Sequence, residues 1–441
     1  MHLWPERVIP KCSTGRSLAI AHRGDDVFWT KADDGKWTPR PTPTRSVDEL
    51  VRKRTSFRVQ GSSERIDRSI PVEWPERKKA EIIVVTISED TIKNAVLRYH
   101  REYDRYLKLS ARVAEICRFE IVEGNAIRAQ VTFRAKSPKS LEGKLRRFAA
   151  SGKKDLSGVQ SVFDQVRDLA AVRIAAYEQK HEDQVVQLVC KRFVDLRGAA
   201  PTSERKDKNS ADSNNFYRAT HIEAFLPEGD LIGTYANVSD VPCEVQVCSM
   251  MAHVWNEIEH DLGYKPVMGS LSEQEYNLLK SLGLAVRQGD QTISTLFAET
   301  ERRQRALGGA FTDVYDFVAR VRGWFPNIDF GRNAGPLYEA LQPVRLVSPE
   351  SIRKLIEIPE PMTEVAQNVL DEFATKLATK GDARFTLDRN SSDLLLVLLL
   401  PKAANYIVSS SVDAVSDGVA RLRWFAARFQ ELSKVESGGI S

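Results

Sequence analysis

The sequence predicts an α/β protein in which a mixed β-sheet flanked by helices is followed by an additional α-rich C-terminal module. Two observations support this prediction. Between residues 86 and 266, runs of strand length alternate with segments whose apolar residues recur at helical spacing, which is typical of strands and helices layered in one domain. Beyond residue 270, amphipathic helical spacing dominates.

The chain of 441 residues is long enough for two or three domains. We assign residues 86–266 to the α/β domain, 270–325 to a helical extension and 345–437 to the α-rich module. Residues 1–80 are rich in Arg, Pro, Ser and Asp without a clean period. This composition predicts a poorly ordered or weakly folded N-terminal extension.

The first part of the α/β domain reads as helix, strand, helix. Thr86 and Glu89 have the spacing of a capping box, and a long helix should follow as far as Cys117. Residues 127–133 alternate as a strand, and Ser137 before Pro138 resembles an N-cap with proline in the first helical position. We expect that helix to run to about residue 150.

The second part continues the alternation. Residues 169–177 are apolar on both faces except for one arginine, which predicts a central strand. We expect a helix over 182–195, a polar loop over 197–215, a strand over 220–226, and then a strand from Cys243 leading into a helix. The apolar run at 394–400, followed by Pro401, predicts a buried strand or a short core helix that the proline ends, and a closing helix should cover about 412–432.

Composition and charge limit the partners and the cellular compartment to be expected for the protein. A formal net charge of +4 permits a nucleic-acid partner without requiring one. The five cysteines are scattered and include no CxxC pair, which favours the reduced cytoplasm over a disulfide framework. The N-terminus lacks the apolar core of a signal peptide, and no run reaches the roughly 20 apolar residues of a membrane helix. We therefore expect a cytoplasmic protein with no membrane partner, and the sequence leaves a homo-oligomer open.

Polar residues follow two of the predicted strands. Arg134, Lys136 and Lys144 surround the turn before a helix N-terminus, which is an arrangement that binds anions; a basic surface turn is the alternative. Asp168 begins an apolar strand, where an unpaired carboxylate is unfavourable. It could pair with Arg173 or another arginine, or bind Mg²⁺.

Two further clusters lie later in the chain. Tyr217 could stack on a base and His221 could contact phosphate, although both are also ordinary strand residues. Glu244 and Gln246 share one face of a strand, and a helix follows with His253, Glu257 and His260 on one face. That helix face could be a metal site, a cleft wall or a salt-bridged surface. Glu244 beside Asp168 would supply two carboxylates for Mg²⁺.

Four motifs in order resemble the synthetase domain of the RelA/SpoT alarmone synthetases, over about residues 86–266. They are RAKSPKSLEGKL from Arg134, RDLAAVRIAAY from Arg167, FYRATH from Phe216, and EVQVCSMMAHVWNEIEHDLGYK from Glu244. The resemblance implies a nucleotidyltransferase-like fold. It also implies transfer of the β,γ-pyrophosphate of ATP to the 3′-hydroxyl of GDP or GTP, which produces (p)ppGpp.

The resemblance also implies residue roles. On the ATP side, Arg134 and Arg173 would hold the adenine, and Lys136, Ser137 and Lys144 would bind the phosphates.

Asp168 and Glu244 would be the catalytic carboxylates that bind Mg²⁺, with Glu244 alternatively taking the proton of the attacking hydroxyl. The implied acceptor-binding residues are Tyr217, His221, Gln246 and His253.

The acceptor side departs from the family pattern K-x-N-G-Y-R-S-x-H. Ser213 stands in place of the lysine, Phe216 in place of the glycine, and Cys248 in place of the arginine of EIQIRT. This leaves two alternatives to a (p)ppGpp synthetase. One is a toxic synthetase that pyrophosphorylates the 3′ end of tRNA, with the C-terminal region as its regulator. The other is an inactive nucleotide-sensing protein.

Overall fold

The computed structural model describes residues 27–31, 37–41, 87–151, 156–207, 216–262, 271–382, 384–409 and 417–438. The chain divides into two compact units, Met1–Glu81 and Ile82–Ser441. The described part of the first unit is an antiparallel pair of strands, β1 (Val27–Lys31) and β2 (Trp37–Pro41). The rest of the predicted N-terminal extension lies outside the described residues.

The second unit contains the predicted mixed sheet, which is confirmed. Its five strands have the order β3-β4-β7-β6-β5, and only the central pair β4–β7 is parallel. The strands are β3 (Ala129–Ala135), β4 (Ala170–Ala176), β5 (Ser203–Asp207), β6 (Arg218–Ala224) and β7 (Cys243–Ser249).

Strand β5 lies inside the segment predicted to be a polar loop, so that prediction is wrong for residues 203–207. Its sequence, SERKD, has no apolar residue because the strand is at the edge of the sheet and is mostly exposed. A strand of this kind is held by its backbone pairing with β6, which leaves no periodic apolar signal in the sequence.

Helices cover the apolar face of the sheet, where Val172, Val245 and Ile222 are buried side by side in register. Ser88 is the N-cap of the first long helix, because the Ser88 Oγ accepts from the Thr91 backbone N–H at 3.0 Å, and Thr86 of the predicted capping box lies outside the described residues. The helices of the domain are α1 (Glu89–Ile116), α2 (Pro138–Ser151), α3 (Val159–Gln165), α4 (His181–Arg192) and α5 (Met250–Leu262).

The remaining described chain is helical, as predicted. The helices are α6 (Glu273–Gln304), α7 (Val314–Val321), α8 (Ala334–Leu341), α9 (Pro349–Ile356), α10 (Thr363–Thr379), α11 (Asp393–Ser409) and α12 (Asp417–Gly438). Buried residues from Phe311 to Ala426 form a second hydrophobic core, which therefore begins well before residue 345. Residue 412, where the closing helix was expected to begin, lies outside the described residues.

The run Leu394–Leu400 is helical and is buried in the second core. The expectation that Pro401 ends this element is wrong, because helix α11 continues to Ser409. Proline removes one backbone hydrogen bond and disfavours a helix interior. Here Ala403, Ala404 and Ile407 are also buried, so burial of this face outweighs the local preference. Among the described helices, none is long and apolar enough to span a membrane.

The second core packs against the α/β domain at the connection between α1 and β3. A Cβ atom on Gly335 would lie 2.4 Å from the carbonyl oxygen of Glu123, so the two backbones meet closely there. The Arg128 guanidinium lies 3.8 Å from the ring centroid of Tyr315. Helix α6 is tied to the same region, because Arg322 pairs with Glu301 at 2.7 Å.

Candidate active site

A cleft of about 1150 Å³ opens on the polar face of the sheet, between α2 and α5. Because paired residues in neighbouring strands project to the same face, the register aligns two rows of side chains there. One row contains Arg134, Glu244 and Glu223, and the other contains Arg173, Gln246 and His221.

Ten of the eleven predicted site residues line this cleft. They are Arg134, Lys136, Ser137, Lys144, Asp168, Arg173, Tyr217, His221, Glu244 and Gln246. The eleventh, His253, contacts Arg173 from helix α5. Residues that are about 110 positions apart in the sequence are therefore assembled at one place by the strand order.

The turn between β3 and α2 forms the first wall. Ser137 begins α2, and its Oγ accepts from the backbone N–H of Ser140 at 3.2 Å. Tyr99 of α1 is fully buried beneath the turn, with its hydroxyl 2.6 Å from the Lys136 carbonyl oxygen. The turn is therefore held in place from below, and its basic side chains face the cleft.

Asp168 is held between two lysines. Lys136 Nζ lies 2.9 Å from one carboxylate oxygen and Lys144 Nζ lies 2.7 Å from the other. Burial alone would raise the pKa of Asp168, but the charges of Lys144 and Lys136 and their hydrogen bonds lower that pKa to about 2. Burial and the nearby positive charges of Lys144 and Arg134 lower the pKa of Lys136 overall, although Asp168 raises it. The carboxylate is therefore ionised at neutral pH.

The lowered pKa of Asp168 predicts a pH dependence of stability. A carboxyl group whose pKa falls on folding stabilises the folded state above its unfolded pKa, and this stabilisation is lost as pH falls toward the folded pKa. For Asp168 the window runs from about pH 4 down to about 2, and its contribution should be about 2 kcal/mol. We expect the difference in melting temperature between the wild-type protein and Asp168→Asn to shrink between pH 5 and pH 3. A melting-temperature difference that stays constant from pH 5 to pH 3 would contradict the lowered pKa of Asp168.

Glu244, His221 and Tyr217 form a hydrogen-bonded chain across β7 and β6. The Nδ1 of His221 lies 2.9 Å from Glu244 Oε1, and its Nε2 lies 2.7 Å from the Tyr217 hydroxyl. Gln246 donates to the other oxygen of Glu244 at 2.6 Å. Burial would raise the pKa of Glu244, but hydrogen bonds from His221 and Gln246 and the charge of His221 lower it overall. Glu244 is therefore also ionised at neutral pH.

Because Glu244 is an ionised acceptor, His221 Nδ1 must be the donor in that pair. The other ring nitrogen, Nε2, shares a hydrogen bond with the Tyr217 hydroxyl. Burial and the nearby Glu244 carboxylate raise the pKa of Tyr217 to about 12, which keeps the phenol protonated. The chain of hydrogen bonds orients Tyr217 toward the carboxylate.

Arg173 lies at the centre of the polar face. Its guanidinium donates to Gln246 Oε1 at 3.0 Å, lies 2.9 Å from His253 Nδ1 and also pairs with Glu257. Burial and the positive charge of Arg173 lower the pKa of His253, which keeps the imidazole neutral. The helix face carrying His253 and Glu257 therefore serves in this structure to bind Arg173.

Several cleft residues were not identified from the sequence. Glu223 lies opposite Glu244 and pairs with Arg167 at 3.2 Å, while Glu204 and Lys206 come from the unpredicted strand β5. The signal for Glu223 was available, because it follows His221 at the two-residue period of β6. Strand β5 offered no such signal.

Asp168 and Glu244 are the residues that could hold a divalent cation. No group of three or more His, Cys, Asp or Glu suited to a metal occurs among the residues that the structure describes. Two ionised carboxylates suit Mg²⁺, which usually takes one or two carboxylates together with substrate phosphates and waters. Each Asp168 oxygen accepts a hydrogen bond from a lysine, so a bound cation would share these oxygens with Lys136 and Lys144.

Comparison with known proteins places this site within a described protein region. Residues 133–268 match the family model described as a region found in RelA/SpoT proteins. The match covers less than one third of the chain and includes all the predicted site residues. The chain thus contains a RelA/SpoT region, and the strands that carry the predicted site all lie within or begin just before it.

Solved structures similar to this chain include the following three proteins. A GTP pyrophosphokinase family protein from Streptococcus pneumoniae is 18% identical, with 47% of this chain and 96% of that chain covered and a TM-score of 0.36. Small alarmone synthetase 1 from Bacillus subtilis is 20% identical, with 46% and 98% covered and a TM-score of 0.34. Small alarmone synthetase 2 from the same organism is 21% identical, with 47% and 98% covered and a TM-score of 0.32. A comparison with curated proteins found no significant match.

Proposed function

We propose that this protein is an ATP-dependent pyrophosphokinase that transfers the β,γ-pyrophosphate of ATP to the 3′-hydroxyl of GDP or GTP. The observation that carries the proposal is one cleft with two chemically distinct halves. A basic turn and a lysine-paired carboxylate lie on one side, and the Glu244–His221–Tyr217 chain lies on the other. This cleft lies in the RelA/SpoT region of the chain.

The donor half suits a triphosphate. Lys136, Lys144 and the N-terminus of α2 supply positive charge at the basic turn. Arg173 is held through hydrogen bonds in the plane of its guanidinium, which leaves its flat face for the adenine, with Arg134 on the neighbouring strand. Mg²⁺ held by Asp168 and Glu244 would neutralise phosphate charge.

The proposed transfer is a single substitution at phosphorus. The acceptor 3′-oxygen attacks the β-phosphorus of ATP, and the bond from that phosphorus to the oxygen bridging the α-phosphate breaks. AMP leaves with the bonding electrons, and the acceptor's proton passes to the Glu244 carboxylate. The role of Tyr217 is to stack on the acceptor base, with His221 and Gln246 fixing the position of Glu244.

Lys136→Ala should raise the KM for ATP by about tenfold to a hundredfold, because it removes a charged contact to the phosphates from a mostly buried position. The KM for the acceptor should change little. Lys376→Ala, which removes a partly exposed lysine that pairs with Glu372 on helix α10, is the matched control. An unchanged KM for ATP in Lys136→Ala would show that the basic turn does not bind the donor.

The direct test is transfer of label from ATP that is radiolabelled in its γ-phosphate. Purified protein and Mg²⁺ would be incubated with GDP, GTP or bulk tRNA, with Glu244→Gln as the control protein. Label in a guanosine product supports the proposal. Label in tRNA would instead assign the tRNA 3′ end as the acceptor, and label in neither would support an inactive nucleotide-sensing protein.

A further inference from the structure

Helix α6 lies outside the cleft, yet it packs directly against the segment that carries Tyr217. Four residues of α6 are buried at spacings of four, three and four, which places them on one face of the helix. They are Leu279, Gly283, Val286 and Asp290. This face covers Phe216, Trp255 and the partly buried Tyr217.

The Phe216 ring occupies a space that a glycine leaves on α6. Phe216 is 8% exposed, and its ring centroid lies 6.0 Å from that of Trp255. A Cβ atom on Gly283 would lie 2.2 Å from Phe216 Cδ2, so no residue larger than glycine fits without displacing the ring. Glycine is unfavourable inside a helix relative to alanine. The close approach of the Phe216 ring explains why glycine occurs at this position.

A buried ion pair holds the other neighbour of Tyr217. Arg218 donates to Asp290 at 3.0 Å and to Glu182 at 2.9 Å. The Arg218 and Asp290 side chains are 13% and 4% exposed, and Ser249 also donates to Asp290 at 3.0 Å. Helix α6 therefore contacts the residues on both sides of Tyr217.

Tyr217 itself points into the cleft toward His221. Its backbone is held on both sides, because its sequence neighbours Phe216 and Arg218 both contact α6. Both of these neighbours are bound to α6, and the departure of Phe216 from the glycine of the family pattern creates the aromatic contact.

We propose that α6 is a positioning element of the acceptor site. Gly283 and Asp290 act through Phe216 and Arg218 to place Tyr217, and they thereby set affinity for the acceptor without affecting ATP. This inference rests on the proposed function and deepens it. It makes residues beyond the RelA/SpoT region part of the acceptor specificity of the enzyme.

The first test is Gly283→Ala in the full-length protein. Its methyl group must displace Phe216, so the KM for the acceptor should rise about tenfold while the KM for ATP stays within about twofold. Alanine favours the helix more than glycine does, so a weakened helix cannot explain the loss. Ser281→Ala, on the exposed side of α6, is the control. The double variant Gly283→Ala/Phe216→Leu removes part of the clash and should recover most of the acceptor affinity.

The second test removes the charge contact. Asp290→Asn should raise the KM for the acceptor about tenfold with a small effect on the KM for ATP, and Glu299→Gln on the exposed part of α6 is its control. Thermal melting and ATP binding by calorimetry would establish that each variant is folded.

The outcomes separate the two proposals. Transfer by the wild-type protein with an unchanged acceptor KM in both variants would overturn the role of α6 and leave the proposed function standing. Equal changes in both KM values, or loss of ATP binding, would mean that α6 only stabilises the domain and would also overturn it. A wild-type protein that binds ATP but transfers pyrophosphate to no acceptor would refute the proposed function, and the positioning role would fail with it.

Discussion

Replacing Glu244 with glutamine is expected to lower the rate of pyrophosphate transfer by about a thousandfold, which is within the range found for a missing general base. Glutamine preserves the size of the side chain but can neither accept the proton nor bind Mg²⁺ as a carboxylate. Its single amide oxygen also cannot accept from both His221 and Gln246, as the two oxygens of Glu244 do now. The variant should therefore lose pyrophosphate transfer to the acceptor while it still binds ATP.

The measurement is single-turnover transfer of label together with ATP binding by calorimetry. Glu115→Gln, an exposed carboxylate of α1 paired with Arg112, is the control because it lies outside the cleft. ATP affinity should stay within a few-fold of wild type, since the lysine-rich wall is unchanged. A Glu244→Gln protein with nearly wild-type turnover would remove Glu244 from the chemistry.

Asp168→Asn should have an effect of similar size through the other carboxylate. Transfer should fall by about a thousandfold or more, because a catalytic metal contributes several kcal/mol of charge stabilisation. Removal of the carboxylate leaves Lys136 and Lys144 without the group that each now contacts at 2.9 and 2.7 Å. Both lysines then remain available to phosphate oxygens.

The Asp168→Asn substitution is therefore expected to reduce turnover without weakening the binding of ATP. Without Mg²⁺, the Asp168→Asn protein should bind ATP at least as well as wild type, because the competing carboxylate is absent. With Mg²⁺, wild-type turnover should rise steeply with the concentration of the cation, whereas the variant should respond weakly. Asp104→Asn on helix α1 is the control. An unchanged dependence on Mg²⁺ in Asp168→Asn would exclude Asp168 as a ligand.

The donor turn and the central strands could be predicted because their signals are local. Ser137 before Pro138 marks a helix start within a few residues, and the apolar run at 169–177 can bury both faces only in a central strand. The alternation of Glu244 and Gln246 likewise defines one face of β7. Short-range periodicity was therefore sufficient to identify most of the polar residues that meet in the cleft.

Other features could not be predicted because they depend on packing between distant segments. The edge strand β5 has no apolar period, and Pro401 remains helical because its neighbours are buried. The pairing of Asp168 with two lysines was also missed, since the sequence suggested an arginine partner or Mg²⁺. Its two lysine partners come from α2 and from the turn before it, and both lie beside the start of β4.

By itself, the sequence determined the chemical inventory of this protein: a basic turn, two carboxylates, an aromatic residue beside a histidine, and the strands that carry them. The tertiary structure alone decided which of these residues meet, and it brought Gly283 and Asp290 of α6 onto Phe216 and Arg218. The physical reason is that periodicity reports only which face of an element is buried. The partner on that face is chosen by shape and charge across long sequence separations.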